Sequence, residues 1–258
     1  MNQNNENSTK AKYFSKTALI KWNKGDYAYK QSFIQEFIES IELLANEKSD
    51  FTNSGSPKRY KLETGDNKEK AYQRAIFLKG SSNFCGKEIK WIDMEVPVIP
   101  GGSPRRPSLD LLGKIDKQYV IVELKIKNGN DQTGECPLKG FGELLFYNYN
   151  LAKYNNQLKL HENALLENNS RYDYIHDIVG VNALSIFAAN KYYWDYWRQD
   201  DELFDSIKEI KREIFIKKSI DIVFAELKNE DFSKQKNDSL IYKPQLLSPH
   251  SIDWKEVK

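Results

Sequence analysis

The stretch from Pro107 to Lys125, PSLDLLGKIDKQYVIVELK, constrains this chain more than any other. An apolar run over residues 108–115 is followed by polar residues at 116–118 and a β-rich run over 119–126, the pattern of a β-hairpin. With Asp116 and Lys117 as a two-residue loop, Asp110 faces Glu123 across the pair, their Cβ atoms roughly 5 Å apart. Lys125 lies two residues beyond Glu123, and the period of two along a strand puts it on the same face. The opposite face reads Leu109, Leu111, Val120, Val122, Leu124 and Ile126, all apolar. Two acids and a lysine therefore converge on one side of a hairpin whose back is core.

Carboxylates that close repel each other, and burial beside Leu112 and Ile121 raises their pKa values unless a cation lies between them. A divalent ion resolves the conflict. Oxygen ligands from few protein groups suit Mg²⁺, which keeps several waters and completes its shell with substrate phosphate. A lysine beside such an ion can orient a water or offset charge that develops in a transition state.

Asp110, followed by Glu123-Leu124-Lys125 closing the second strand, resembles the PD-(D/E)XK nuclease superfamily. The resemblance implies an α/β, restriction-endonuclease-like fold: a mixed central β-sheet flanked by helices, here with an extra N-terminal helix. It implies Asp110, Glu123 and the backbone carbonyl of Leu124 as ligands of Mg²⁺, with Mn²⁺ able to substitute, and Lys125 as a catalytic residue. The implied reaction is hydrolysis of phosphodiester bonds in nucleic acid, DNA first, in restriction, defence or repair. A homodimer is compatible with this, since many members cut both strands as dimers. The alternative is a catalytically inactive module of the same fold that binds nucleic acid or a protein partner.

Other candidates follow from their surroundings. Residues 66–79 read as a helix capped by Asp66 and stopped by Gly80. Glu69 either closes a capping box with Asp66 or, as the resemblance implies, offers a carboxylate to the metal site; Gln73 and Ile76 share its face. A first strand is expected over 88–99, with Ile92, Met94, Val96 and Val98 alternating against Trp91, Asp93, Glu95 and Pro97. In the connector PGGSPRRP, Arg105 and Arg106 either bind phosphates near the metal or simply face solvent. A helix from residue 137 to about 155 puts Glu143, Tyr147, Leu151 and Tyr154 on one face. The RecB-like branch of the superfamily has Gln-x-x-x-Tyr there; this chain has Glu143-x-x-x-Tyr147, so Tyr147 is either a nucleic-acid contact or packing.

Further strands are expected over 177–189 and 219–227, a long helix over 192–214, another helix over 27–46, and a loosely wrapped tail beyond residue 228. The opening YYWDYW of the long helix either stacks on unpaired bases or packs. The expected division is a tail and helical element over 1–57 and a nuclease-like domain over 58–258, which also reads as one continuous domain.

Composition excludes several classes. No apolar run approaches the ~20 residues of a membrane span, and the Asn-rich start does not read as a signal peptide. Cys85 and Cys136 lack ligand spacing and read as reduced thiols, so a cytoplasmic protein without a membrane partner is expected. Three histidines and no cysteine cluster argue against zinc, and neither GxSxG nor a phosphate-cradling glycine loop occurs. A net charge of +2 permits nucleic-acid binding where basic residues gather on one side.

Overall fold

The computed structural model of the chain describes residues 12–47, 68–97, 108–127, 135–158, 183–227, 232–234, 247–249 and 253–257. The helices are α1 (Lys16–Lys24), α2 (Tyr27–Glu47), α3 (Lys68–Lys79), α4 (Pro137–Leu158), α5 (Lys191–Arg198) and α6 (Asp201–Lys218). The strands are β1 (Ser81–Phe84), β2 (Lys87–Pro97), β3 (Ser108–Ile115), β4 (Gln118–Lys125), β5 (Leu184–Asn190), β6 (Ile222–Leu227), β7 (Phe232–Lys234), β8 (Leu247–Pro249) and β9 (Asp253–Glu256).

The β3–β4 hairpin has the expected register: Ile115 pairs with Gln118 and Leu111 with Val122. Around it the main sheet runs β1-β2-β3-β4-β5-β6-β9. The first four strands are antiparallel neighbours, β4, β5 and β6 are parallel, and β9 returns antiparallel to β6. The sheet curls until β9 also meets β1, in parallel, through Asn83–Asp253 and Phe84–Trp254. The fold is α/β, a mixed, curled sheet with flanking helices; β7 and β8 form a separate ribbon.

Two apolar clusters divide the faces of this sheet. One gathers Ile76 of α3 with Met94, Leu111, Val120, Val122, Leu124, Ile186, Ala225 and Trp254, the interior of the curl. The other lies outside and joins Ile121, Phe187 and Phe224 to Leu19, Trp22, Ile34, Phe37, Phe141, Leu145, Trp194 and Ile207. The N-terminal helices thus share a core with the sheet. Trp22 Nε1 also donates to Glu209 of α6 at 2.9 Å. No helix among the described residues is long and apolar enough to cross a membrane.

Several expectations are corrected. A strand, β1, precedes the expected first one, joined to β2 by a turn in which both Cys85 (φ 50) and Gly86 (φ 80) are left-handed, the conformation of a tight hairpin. The single long helix over 192–214 is two helices: Asp200 leaves helical geometry (φ −124, ψ 97) and its side chain accepts from Leu203 N. The strand expected from 219 starts at Ile222, because Ser219 (φ 55) caps α6. The tail is partly built into the sheet, with Trp254 of β9 buried. Of the YYWDYW aromatics, Tyr193, Trp194 and Trp197 pack inward while Tyr192 is exposed: Trp194 lies 5.2 Å from the Phe224 ring, and its Nε1 donates to Ala225 O. Strand β5 begins at Leu184; residues 177–182 of the expected strand, like Asp66, lie outside the described residues.

Asp200→Ala is expected to lower the unfolding free energy by about 1 kcal/mol, the usual effect of removing an N-cap acceptor. The measurement is the urea midpoint at unchanged slope. An unmoved midpoint would show that packing of Trp197 and Leu203 alone holds the break.

Candidate functional site

The last paired residues of the hairpin ladder are Leu111 and Val122, and one step further the strands part. There the carbonyl of Asp110 accepts from Gln73 Nε2 of α3 at 2.5 Å. Its carboxylate takes the backbone N–H of Leu124, at 2.7 Å from Oδ2, with Gln73 Nε2 3.5 Å from Oδ1. Asp110 is therefore fixed by its own strand partner and by a helix.

The neighbouring strand is kinked at the same level. Glu95, between the pairs Met94–Leu111 and Val96–Leu109, has a left-handed φ of 48, a conformation an ordinary residue adopts only under tertiary constraint. Regular alternation fails across it. Met94 and Leu111 face the interior of the curl, whereas Val96 and Leu109 face the outer cluster. Leu109 thus does not share a face with Val122 and Leu124, as alternation alone had predicted. Upstream, the jump in register between Trp91 and Asp93 breaks the pattern of β2 a second time. Glu95 itself pairs with Lys70 at 3.0 Å.

Lys125, the last residue of β4, is the hub. Its Nζ lies 2.5 Å from Glu123 Oε1, 3.1 Å from Glu143 Oε2 on α4, and 3.3 Å from Glu135 Oε2 just before α4. Lys139 supports the same pair of glutamates from one helical turn away, 2.5 Å from Glu135 and 3.8 Å from Glu143. Glu69 reaches the site from α3, where its carboxylate accepts from the backbone of Ile126. Tyr147 is buried and donates to Ser108 O at 3.0 Å, tying α4 to the start of β3.

Burial makes this concentration of charge unfavourable. It pushes Asp110 up to about 7, and Glu69 adds to the rise, while Lys125 and the Leu124 N–H pull the other way. Burial also holds Glu123 well above the usual carboxylate range, with Asp110 and Glu143 pushing further. Glu69 is raised by burial too, partly offset by Lys125. For Lys125 burial acts downward, but Glu123, Glu143, Glu69 and Asp110 outweigh it and keep the ammonium firmly protonated. Glu135 ends below its usual range: burial would raise it, but Lys125 and Lys139 prevail.

Several acids thus surround one deeply buried cation, and two acceptors are left without a hydrogen bond. Glu123 Oε2 and Glu143 Oε2 are both buried with no hydrogen-bond partner, the second lying in the ion pair with Lys125. Among the described residues no three His, Cys, Asp or Glu side chains are gathered as a metal-ligand set; the Lys125 ammonium lies among Glu123, Glu135 and Glu143. Arg105 and Arg106 lie outside the described residues.

The sequence alone singles out neither Glu135 nor Lys139, and places Gln73 only on the helix face of Glu69. The spacing Glu135–Lys139–Glu143 was the available signal, since residues four apart lie on one helix face. No family model matches the chain, and no curated protein or solved structure matches it significantly.

Proposed function

We propose that the chain is a metal-dependent nuclease with a restriction-endonuclease-like core, hydrolysing phosphodiester bonds of nucleic acid, DNA first. The observation that carries this reading is the acid excess around Lys125, capped by the orphaned, buried Glu123 Oε2. A buried polar atom without a partner is costly, and a bound cation is one way to satisfy it. Asp110, Glu123 and the Leu124 carbonyl would hold Mg²⁺, or Mn²⁺ in its place; an all-oxygen donor set suits a hard cation. Bound there, the cation supplies Lewis-acid charge to a phosphoryl oxygen and makes a water more acidic.

The chain's own residues do the rest. Lys125 presents donors where negative charge grows on phosphate oxygens, and the surrounding acids keep it protonated. Gln73 and the Leu124 N–H hold the Asp110 carboxyl in place. Lys125 ends the first of three parallel strands, and carboxyl ends of parallel strands are where α/β sheets place their ligands.

One observation favours the inactive-module alternative. Lys125 meets three carboxylates at once, which would also make it a structural cross-link between β4 and α4. Incubation with supercoiled plasmid, linear duplex, single-stranded DNA and RNA separates the two. Cleavage with Mg²⁺ or Mn²⁺ and none with EDTA is expected. Intact substrates throughout, with either metal, would leave the module standing.

A further inference from the structure

Three carboxylates share the Lys125 ammonium, but only Glu123 is a proposed metal ligand. The other two are differently placed. Glu123 is 4% exposed, Glu143 29% and Glu135 50%, so both α4-side acids reach solvent more than Glu123 does, although the Glu143 Oε2 that meets Lys125 is itself buried. Both are held ready from the far side by Lys139.

The surroundings aim this pair at the end of β4. A Cβ at Gly140 would lie 2.1 Å from Phe187 Cε2, so the backbone of α4 rests directly on that ring. Tyr193 OH donates to the Glu135 carbonyl at 2.7 Å and pins the start of the helix.

We infer that Glu135 and Glu143 are positioning residues that receive the Lys125 ammonium when a divalent cation takes Glu123. This rests on the metal-dependent reading above. A cation on Glu123 repels an ammonium 2.5 Å from Glu123 Oε1. The flexible lysine stem lets the ammonium turn away, and Glu143 at 3.1 Å and Glu135 at 3.3 Å are already within reach. Lys125 thereby leaves Glu123 without losing its charge partners and stays beside the reacting phosphate. Without those two acids the ammonium remains on Glu123 and competes with the metal.

Calorimetric titration of the full chain with Mn²⁺ tests this without any reliance on activity. Glu143→Gln is expected to weaken Mn²⁺ binding about tenfold, the equivalent of one charge-assisted hydrogen bond, and Glu135→Gln by less because that acid is more exposed. In a Lys125→Met background both losses should shrink to about twofold or below, since the ammonium they act through is gone. A Glu143→Gln loss of the same size with and without Lys125 would make Glu143 a ligand or a distant charge and overturn the inference. Unchanged affinity in both single variants would overturn it as well. Wild-type protein that binds no Mn²⁺ is a separate outcome: it removes the metal-dependent reading itself, and the handover with it.

Discussion

Lys125→Ala is expected to lower the turnover of DNA cleavage by about 10²-fold or more while leaving the metal bound at least as tightly as in the wild type. The two halves of this expectation have one origin. The ammonium lies among Glu123, Glu135 and Glu143, where it offsets negative charge that a divalent cation would otherwise neutralise. Removing it frees Glu123, so the metal midpoint should move to lower concentration. In the proposed nuclease, removing it would also delete a donor for charge that appears only as the phosphodiester bond breaks, so the chemical step should slow. A group that merely bound substrate would instead raise KM and spare kcat. Single-turnover cleavage across a Mg²⁺ titration, with circular dichroism to confirm folding, reads both quantities. If Lys125→Ala cleaves like the wild type, the lysine is a cross-link between β4 and α4 and the catalytic role is wrong. If turnover and metal affinity fall together, Lys125 supports the ligand arrangement and does not stand apart from it.

What the sequence disclosed about this site was the part governed by short-range rules. A two-residue loop and a period of two were enough to place Leu111 opposite Val122 and to set Glu123 and Lys125 on one face. The kink at Glu95 was beyond such rules. A glutamate gives no warning of a left-handed φ, yet that residue sends Leu109 to the outer cluster and divides Met94 from Val96. The Cys85–Gly86 turn was hidden for the same reason, since an Asn-Gly pair is the usual sign of a left-handed hairpin turn and Cys-Gly is not. The break at Asp200 was legible in hindsight: it is an N-cap residue followed by acids in the first turn of α6. Glu135 and Glu143 illustrate a further limit. Their spacing with Lys139 marks a helix face, but the face meets Lys125 only because Gly140 lets α4 settle on Phe187, a contact between residues far apart in the chain.

Asp110→Asn is expected to shift stability and function in opposite directions. Burial pushes the Asp110 carboxyl to about 7 from an ordinary value of 3.8. The folded state therefore binds this proton more tightly than the unfolded chain does, and the metal-free protein loses stability as pH rises through that window. Asparagine has no proton to lose, and its carbonyl can still accept from Leu124 N. Metal-free Asp110→Asn should melt above the wild type, with an advantage that grows from about pH 4 to about pH 7 and then levels off. Mg²⁺ should reverse the order. At a concentration of 100 times Kd the ion stabilises a single-site protein by about 2.7 kcal/mol, which the wild type would gain and the variant, short of one ligand charge, largely would not. Changes in groups that only support a metal ligand already lower metal affinity or activity by about 10–100-fold, so loss of the ligand itself should reduce cleavage by at least about 10²-fold. Thermal melts of both proteins from pH 4 to 8, with and without Mg²⁺, give the two curves. A variant that melts below the wild type at pH 7 without metal would show that the Asp110 carboxylate stabilises the fold, as it would in a binding module. Crossing of the curves on addition of Mg²⁺ would identify Asp110 as a residue whose burial destabilises the empty site and whose charge is used only when a cation is present.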